Sequence, residues 1–213
     1  MEFVGIDLTA GGRATAVAAL RGDLGEQRSE MLLTDGELLG FVKEVGATVV
    51  GIDAPLGLPA GLCCLEKACA CTPTGPGNGR ECERALSRLG IGCYYTTKRS
   101  IIRAMVYRGI RLRRALEARG CTVLEVYPYA SKVRLFGARP PRKSSAVGRA
   151  FIGERLGHLL GRELPLMSHD GADALICAYT AYLYAQGRTE ALGNIDEGLL
   201  HLPLARGAIL SSC

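Results

Sequence analysis

The chain alternates between short apolar runs closed by turn residues and longer amphipathic stretches. Residues 2–8, 13–20 and 26–33 read as three strands. Turns at Thr9-Ala10-Gly11-Gly12 and Arg21-Gly22-Asp23 join them into a β-meander, with glycine where tight reversals favour it. A helix is expected over 36–45, where Leu38, Leu39, Phe41, Val42 and Val45 share a face and Asp35 stands at the N-cap position. Residues 48–53 (TVVGID) form a continuous apolar run, the pattern of a central parallel strand buried on both faces. Prolines at 55 and 59 stop it. Residues 100–120 predict a long helix ended by Gly120, and 121–127 (CTVLEVY) a further buried strand ended by Pro128. Helices are expected over 131–136, 144–160 and 169–185, with a connector at 164–167 and a short helix within 195–203.

Between the fourth and fifth strands lies an irregular segment, 61–97, that reads as an insertion. Its centre, TPTGPGNG at 72–79, is loop, and 81–89 is a short helix. No shift of composition marks a second full domain, so 1–213 is expected to be one α/β domain carrying this insertion.

Composition changes this picture little. A hydrophobic content of 48% with 22% charged residues is that of a globular chain and argues against disorder. The formal net charge of +5 is compatible with a polyanionic partner and decides nothing further. No apolar run reaches the length of a membrane span, and the chain opens on the strand-like VGIDL without a basic-then-apolar leader. A soluble cytoplasmic protein without membrane contact is the expectation. Nine cysteines in a reducing compartment then argue for metal more readily than for disulfides.

The candidate chemistry is acidic. Asp7 and Asp53 each end a Gly-Ile-Asp strand, at the carboxyl edge where open α/β sheets place their ligand sites. Glu125 is a lone carboxylate in an apolar strand, costly unless paired or metal-bound. Asp170 and Asp173 stand at i and i+3 of the late helix and so share a face. Two such carboxylates repel unless a cation or proton sits between them, although acids also suit the positive end of a helix. If the strands are neighbours, the three strand acids converge and the late helix closes over them. That is a donor set for two hard divalent cations, able to activate water and stabilise the leaving oxygen of a phosphodiester. Taken singly, Asp7 and Asp53 could cap turns and Glu125 could pair with an arginine. Lys132 and His169 stand where they could orient water or contact a phosphate, against a solvated surface lysine and a simple helix-cap histidine.

GIDLTAG, GIDAPLGLP, LEVYPYASKVRLFG and HDGADALICAYTA together resemble the DUF429 family of predicted ribonuclease-H-like nucleases, over roughly 1–60 and 80–187. The resemblance implies the ribonuclease H-like fold: a five-stranded mixed sheet, its first three strands antiparallel, flanked by helices. DGADAL also looks like the last acidic motif of the Holliday-junction resolvase branch. By that likeness Asp7, Asp53, Glu125, Asp170 and Asp173 carry over as candidate catalytic residues and ligands of Mg2+ or Mn2+, with Asp7 bridging two ions and Asp173 favoured over Asp170 as the deeper of the pair. Fold alone does not settle function.

The insertion holds Cys63, Cys64, Cys69, Cys71, Cys82 and Cys93. Their spacing matches no standard zinc-ribbon or ferredoxin pattern, but six cysteines in a glycine- and proline-rich loop are too many for core filling. Zinc or an iron–sulfur cluster is the leading expectation, with disulfides and free thiols as alternatives. Cys121 and Cys177 read as small buried residues and Cys213 as a tail thiol. Arginines 103, 108, 111, 113, 114 and 119 give the 100–120 helix a basic side, able to track a phosphate backbone or simply be solvated. Tyr94, Tyr95, Tyr127 and Tyr129 could stack on bases or fill core.

Three readings follow. The chain is a metal-dependent nuclease; or a non-catalytic nucleic-acid-binding module on the same fold; or, less well supported, an ATP- or phosphate-binding relative of the sugar kinase and actin group. The third lacks a P-loop and the length for two such domains.

Overall fold

The structure, a computed structural model, describes residues 1–25, 27–137, 139–142 and 145–205. Cys213 and part of the basic loop 137–143 lie outside the described residues. Seven strands form one mixed sheet in the order β3-β2-β1-β4-β5-β7-β6. β1 (Glu2–Asp7), β2 (Thr15–Arg21) and β3 (Gln27–Leu32) are the meander, antiparallel throughout. β4 (Val49–Ile52) lies parallel to β1, and β5 (Thr122–Glu125) parallel to β4.

The expected five strands are therefore extended by two. The segment expected to hold a short helix near 195–203 is instead a hairpin, β6 (Thr189–Asn194) and β7 (Gly198–Pro203), added beyond β5. Along β7, Leu200 and Leu202 are buried while Leu199 and His201 are less so, a period of two that a strand satisfies and a helix does not.

Helices cover both faces. On one, α1 (Asp35–Val45) and α3 (Arg103–Glu117) pack Leu38, Phe41, Val42, Leu112 and Leu116 on Val4, Ile6, Val50 and Ile52. Thr34, not Asp35, caps α1: its side chain accepts from the Glu37 backbone while Glu37 reaches back to the Thr34 N–H, a reciprocal box. The other face carries α6 (His169–Ala185), flanked by α4 (Pro128–Phe136) and α5 (Ala146–Leu160). α6 is buried nearly all round, which is why its sequence is apolar well beyond a single stripe.

The insertion between β4 and α3 contains α2 (Glu81–Arg88), which packs Cys82 and Leu86 against Leu200 and Leu202 of β7. A buried charge cluster anchors it. Arg80, 1% exposed, donates Nη1 and Nη2 to the two oxygens of Glu125 at 2.7 and 2.6 Å and Nε to Glu83 at 3.0 Å. The same Glu83 carboxylate accepts from the Thr96 backbone and hydroxyl, closing the far end of the segment. Glu197, in the β6–β7 turn, accepts from the backbone of Ala60 and Glu81. Every charge here is met by a partner, the condition for burying it.

Candidate metal centre

The two Gly-Ile-Asp motifs have a common geometry. Gly5 pairs with Gly51 and Ile6 with Ile52 across β1 and β4, so the motifs lie side by side in register. The ladder continues through the Asp53 N–H, which donates to the Ile6 carbonyl. Side chains alternate across a strand. The glycines face α6: a Cβ on Gly5 would lie 1.9 Å from the Ala174 carbonyl oxygen, and one on Gly51 2.6 Å from that of Cys177. The isoleucines enter the opposite core with α1 and α3. The aspartates, two residues beyond the glycines, return to the α6 face; Ala16, the cross-strand partner of Asp7, packs in the α6 core accordingly.

α6 runs antiparallel to β1. Phe3 meets Tyr182 edge-on, and Gly5 meets Ala174 and Ala178 one to two turns earlier. The first turn of α6 thus lies over the carboxyl ends of β1 and β4. Asp7, Asp53, Asp173 and Lys132 all act electrostatically on the Cys177 thiol, one turn past Asp173; burial is the main cause of its raised pKa, and the three carboxylates add to it while Lys132 opposes. Each of the three acids is thus within electrostatic reach of this thiol.

Asp173 is 3% exposed and its Oδ1 lies 2.5 Å from the Lys132 ammonium, itself 3% exposed. Lys132 is not a solvated surface lysine. α4 delivers it: Pro128 at the first helical position starts that helix directly after β5, and Ser131 takes a hydrogen bond from Thr180 of α6. Its burial was hidden in the sequence because a single lysine at a helix start carries no periodic signal. Asp170 is different: its side chain is 44% exposed, with His169 Nδ1 2.7 Å from Oδ1. The cap of α6 is Ser168, whose hydroxyl accepts from the Gly171 N–H, so neither Asp170 nor His169 fills that role.

Glu125 is not brought to this group. Its neighbour Val126 packs with Cys177 on the α6 face, so Glu125 projects to the other side of the sheet. There both oxygens are engaged by Arg80, and Oε2 also accepts from the Leu56 N–H at 2.7 Å. The pairing with an arginine, the alternative the sequence left for this acid, therefore accounts for its carboxylate: one residue along a strand reverses the face.

The basic helix is corrected in part. Arg108 is 5% exposed and donates to Asp35, to the Thr9 carbonyl and to the Thr9 and Thr15 hydroxyls, pinning the turn that follows Asp7. Arg103 and Arg113 pair with Glu66 and Glu117. Arg111, Arg113 and Arg114 line a groove of about 720 Å³ between α3 and the loop 56–63. Tyr127 and Tyr129 pack against the α2–β7 core, whereas Tyr94 is 67% exposed.

The six insertion cysteines divide. Cys63, Cys64, Cys69 and Cys71 hold their sulfur atoms within 4.8 Å of one another. Cys82 and Cys93 stand apart in the core beside Leu86 and Ile91, where burial pushes their thiols up to about 12 and about 11. Among the described residues all cysteines are unbridged, and no helix is long and apolar enough to cross a membrane.

The model of a family described as protein of unknown function, DUF429, matches residues 5–197. No curated protein matches the chain. Among solved structures, Thermus thermophilus RuvC is similar at 15% identity with a TM-score of 0.45, over 88% of this chain and 97% of that one.

Proposed function

As a member of the DUF429 family, the chain belongs to a group without an assigned function, and we propose that it is a metal-dependent nuclease of the ribonuclease H-like kind. The observation that carries this reading is the placement of Asp7 and Asp53, side by side on adjacent parallel strands, beneath the helix turn that holds Asp173 and Asp170. The mixed sheet, with its antiparallel meander β1–β3 followed by parallel β4 and β5, supports the reading.

The donor set fits hard divalent cations. Carboxylate oxygens from separate elements are what Mg2+ or Mn2+ accepts, and a cation relieves their mutual repulsion. Asp7 and Asp53 would hold it from the strands, with Asp173 or Asp170 completing the set from α6. When bound, the cation supplies a more acidic water and offsets charge on the leaving oxygen of the phosphodiester. Asp173 is held in one rotamer by Lys132, so its carboxylate is presented without a search of conformers. The lysine also brings a fixed positive charge to the edge where a phosphate would sit. Arg108 fixes the Thr9 turn and with it the end of β1. Arg111 and Arg114 give a phosphate backbone a track beside the 56–63 loop.

The test is cleavage of labelled DNA and RNA, as single strands, duplexes and branched junctions, with Mg2+, Mn2+ or EDTA. The unaltered chain is expected to cut at least one form with metal. Asp7→Asn and Asp53→Asn are expected to lose cleavage while retaining binding. Failure of the unaltered chain on every form in both metals would overturn the proposal.

A further inference from the structure

In the 56–75 loop Leu56 and Leu65 are buried, Leu65 with its N–H donating to the Tyr107 hydroxyl, but residues 66–75 bury no side chain. The loop is nevertheless closed tightly. The Thr74 N–H donates to the Ala60 carbonyl at 2.8 Å, across fourteen residues. At the base Gly61 adopts φ +84°, and a Cβ there would lie 2.5 Å from the Thr72 carbonyl oxygen. At the far end the Lys98 ammonium caps the Cys69 and Cys71 carbonyls at 2.5 Å each. Inside this closure stand the four clustered cysteines, with Cys63 and Cys69 sulfurs 3.6 Å apart.

We propose that Cys63, Cys64, Cys69 and Cys71 form a tetrathiolate site for a single zinc ion, one that orders the insertion and is separate from the acidic centre. Geometry selects the ion class. With Zn–S near 2.3 Å, the sulfurs of a tetrahedral site lie about 3.8 Å apart. A cluster in which all four sulfurs fall within 4.8 Å of one another matches that edge. A [2Fe–2S] or [4Fe–4S] core distributes its thiolates over several irons and needs them spread wider. Four thiolates around one Zn2+ leave a dianion, and Lys98, seated on two of the ligand residues' carbonyls, is placed to offset it. The site also supplies what the 66–75 half of the loop lacks: binding free energy where no side chain is buried.

The full-length protein, purified under reducing conditions without added metal, is assayed by elemental analysis and by mapping of alkylated cysteines before and after chelation. One zinc per chain is expected, with Cys63, Cys64, Cys69 and Cys71 protected until chelator is added. Replacement by Co2+ is expected to give the visible absorption of a tetrahedral tetrathiolate. Cys69→Ser combined with Cys71→Ser should abolish stoichiometric zinc, whereas Cys82→Ser combined with Cys93→Ser should keep it. Because the first variant could fail for reasons of folding, the protection pattern of the unaltered chain decides independently. Iron in place of zinc, a chain that neither carries nor takes up zinc, disulfides among the four, or zinc lost with Cys82 and Cys93 would each overturn the proposal.

Discussion

The Lys132 ammonium lies 2.5 Å from Asp173 Oδ1, and neither residue is more than 3% exposed. Each charge is buried on account of the other. Removing one leaves its partner uncompensated, at a cost of about 3–5 kcal/mol. Lys132→Met and Asp173→Asn are each expected to lower the urea midpoint by a corresponding amount at unchanged slope. The double variant should lose less than the sum of the two, because it strands no charge.

Divalent cation should stabilise the protein through the strand aspartates. Binding to the folded chain alone adds about 2.7 kcal/mol when the cation stands at one hundred times its dissociation constant. Thermal unfolding with increasing Mn2+ is expected to raise the midpoint of the unaltered chain. Asp7→Asn and Asp53→Asn should flatten that response while unfolding normally in EDTA. An undiminished Mn2+ shift in both variants would place the cation elsewhere.

Glu125 separates a structural acid from a ligand. Its carboxylate holds Arg80 by two hydrogen bonds in a site where both are at most 5% exposed. Glu125→Gln is expected to cost about 1.5–3 kcal/mol through the weakened charged hydrogen bonds, less than a stranded charge would because Glu83 still pairs with Arg80, and yet to keep the Mn2+-dependent rise in unfolding temperature. The two readouts together decide between the roles, since a ligand would lose the second.

His201 lies on β7 with the Tyr184 ring edge-on at 5.1 Å, and burial lowers its pKa. A group whose folded pKa is depressed contributes stability that is present above its unfolded value and lost as pH falls toward the folded one. Denaturation midpoints are therefore expected to fall as pH drops below about 6.5. His201→Gln should remove that component of the pH dependence.

Much of this was legible in the sequence because it rests on local pattern. The meander, the TVVGID strand and the apolar run of α6 each carry a clear period, and the order of the elements then puts Asp7 and Asp53 at neighbouring strand ends beneath the start of α6. What escaped depends on register and on distant partners. The face of Glu125 is set by a single residue of pleat, and its partner Arg80 lies 45 positions away. Lys132 is buried only because α4 is docked on α6. The β6–β7 hairpin was obscured because the exposed Ile195 of its turn adds an apolar position out of step with the alternation of the strands. Four of the six insertion cysteines meet by loop closure, which irregular spacing does not announce.

The glycines of the two Gly-Ile-Asp motifs should matter as much as the aspartates. At Gly5 an added methyl would meet the Ala174 carbonyl oxygen at 1.9 Å and the Ala178 nitrogen at 2.3 Å, both helix backbone that no rotamer change can move aside. α6 would have to lift from the sheet, and its first turn would leave the strand carboxylates. Gly5→Ala is expected to cost at least about 1–3 kcal/mol by overpacking and to weaken the Mn2+ response although no acid has been touched. Gly40, in α1, is the control: an added Cβ there meets nothing within 4 Å. Gly40→Ala should stabilise the helix by roughly 0.5–1 kcal/mol and leave the Mn2+ response intact. If Gly5→Ala unfolds like the unaltered chain and binds Mn2+ as well, the close seating of α6 on β1 is not what assembles the site.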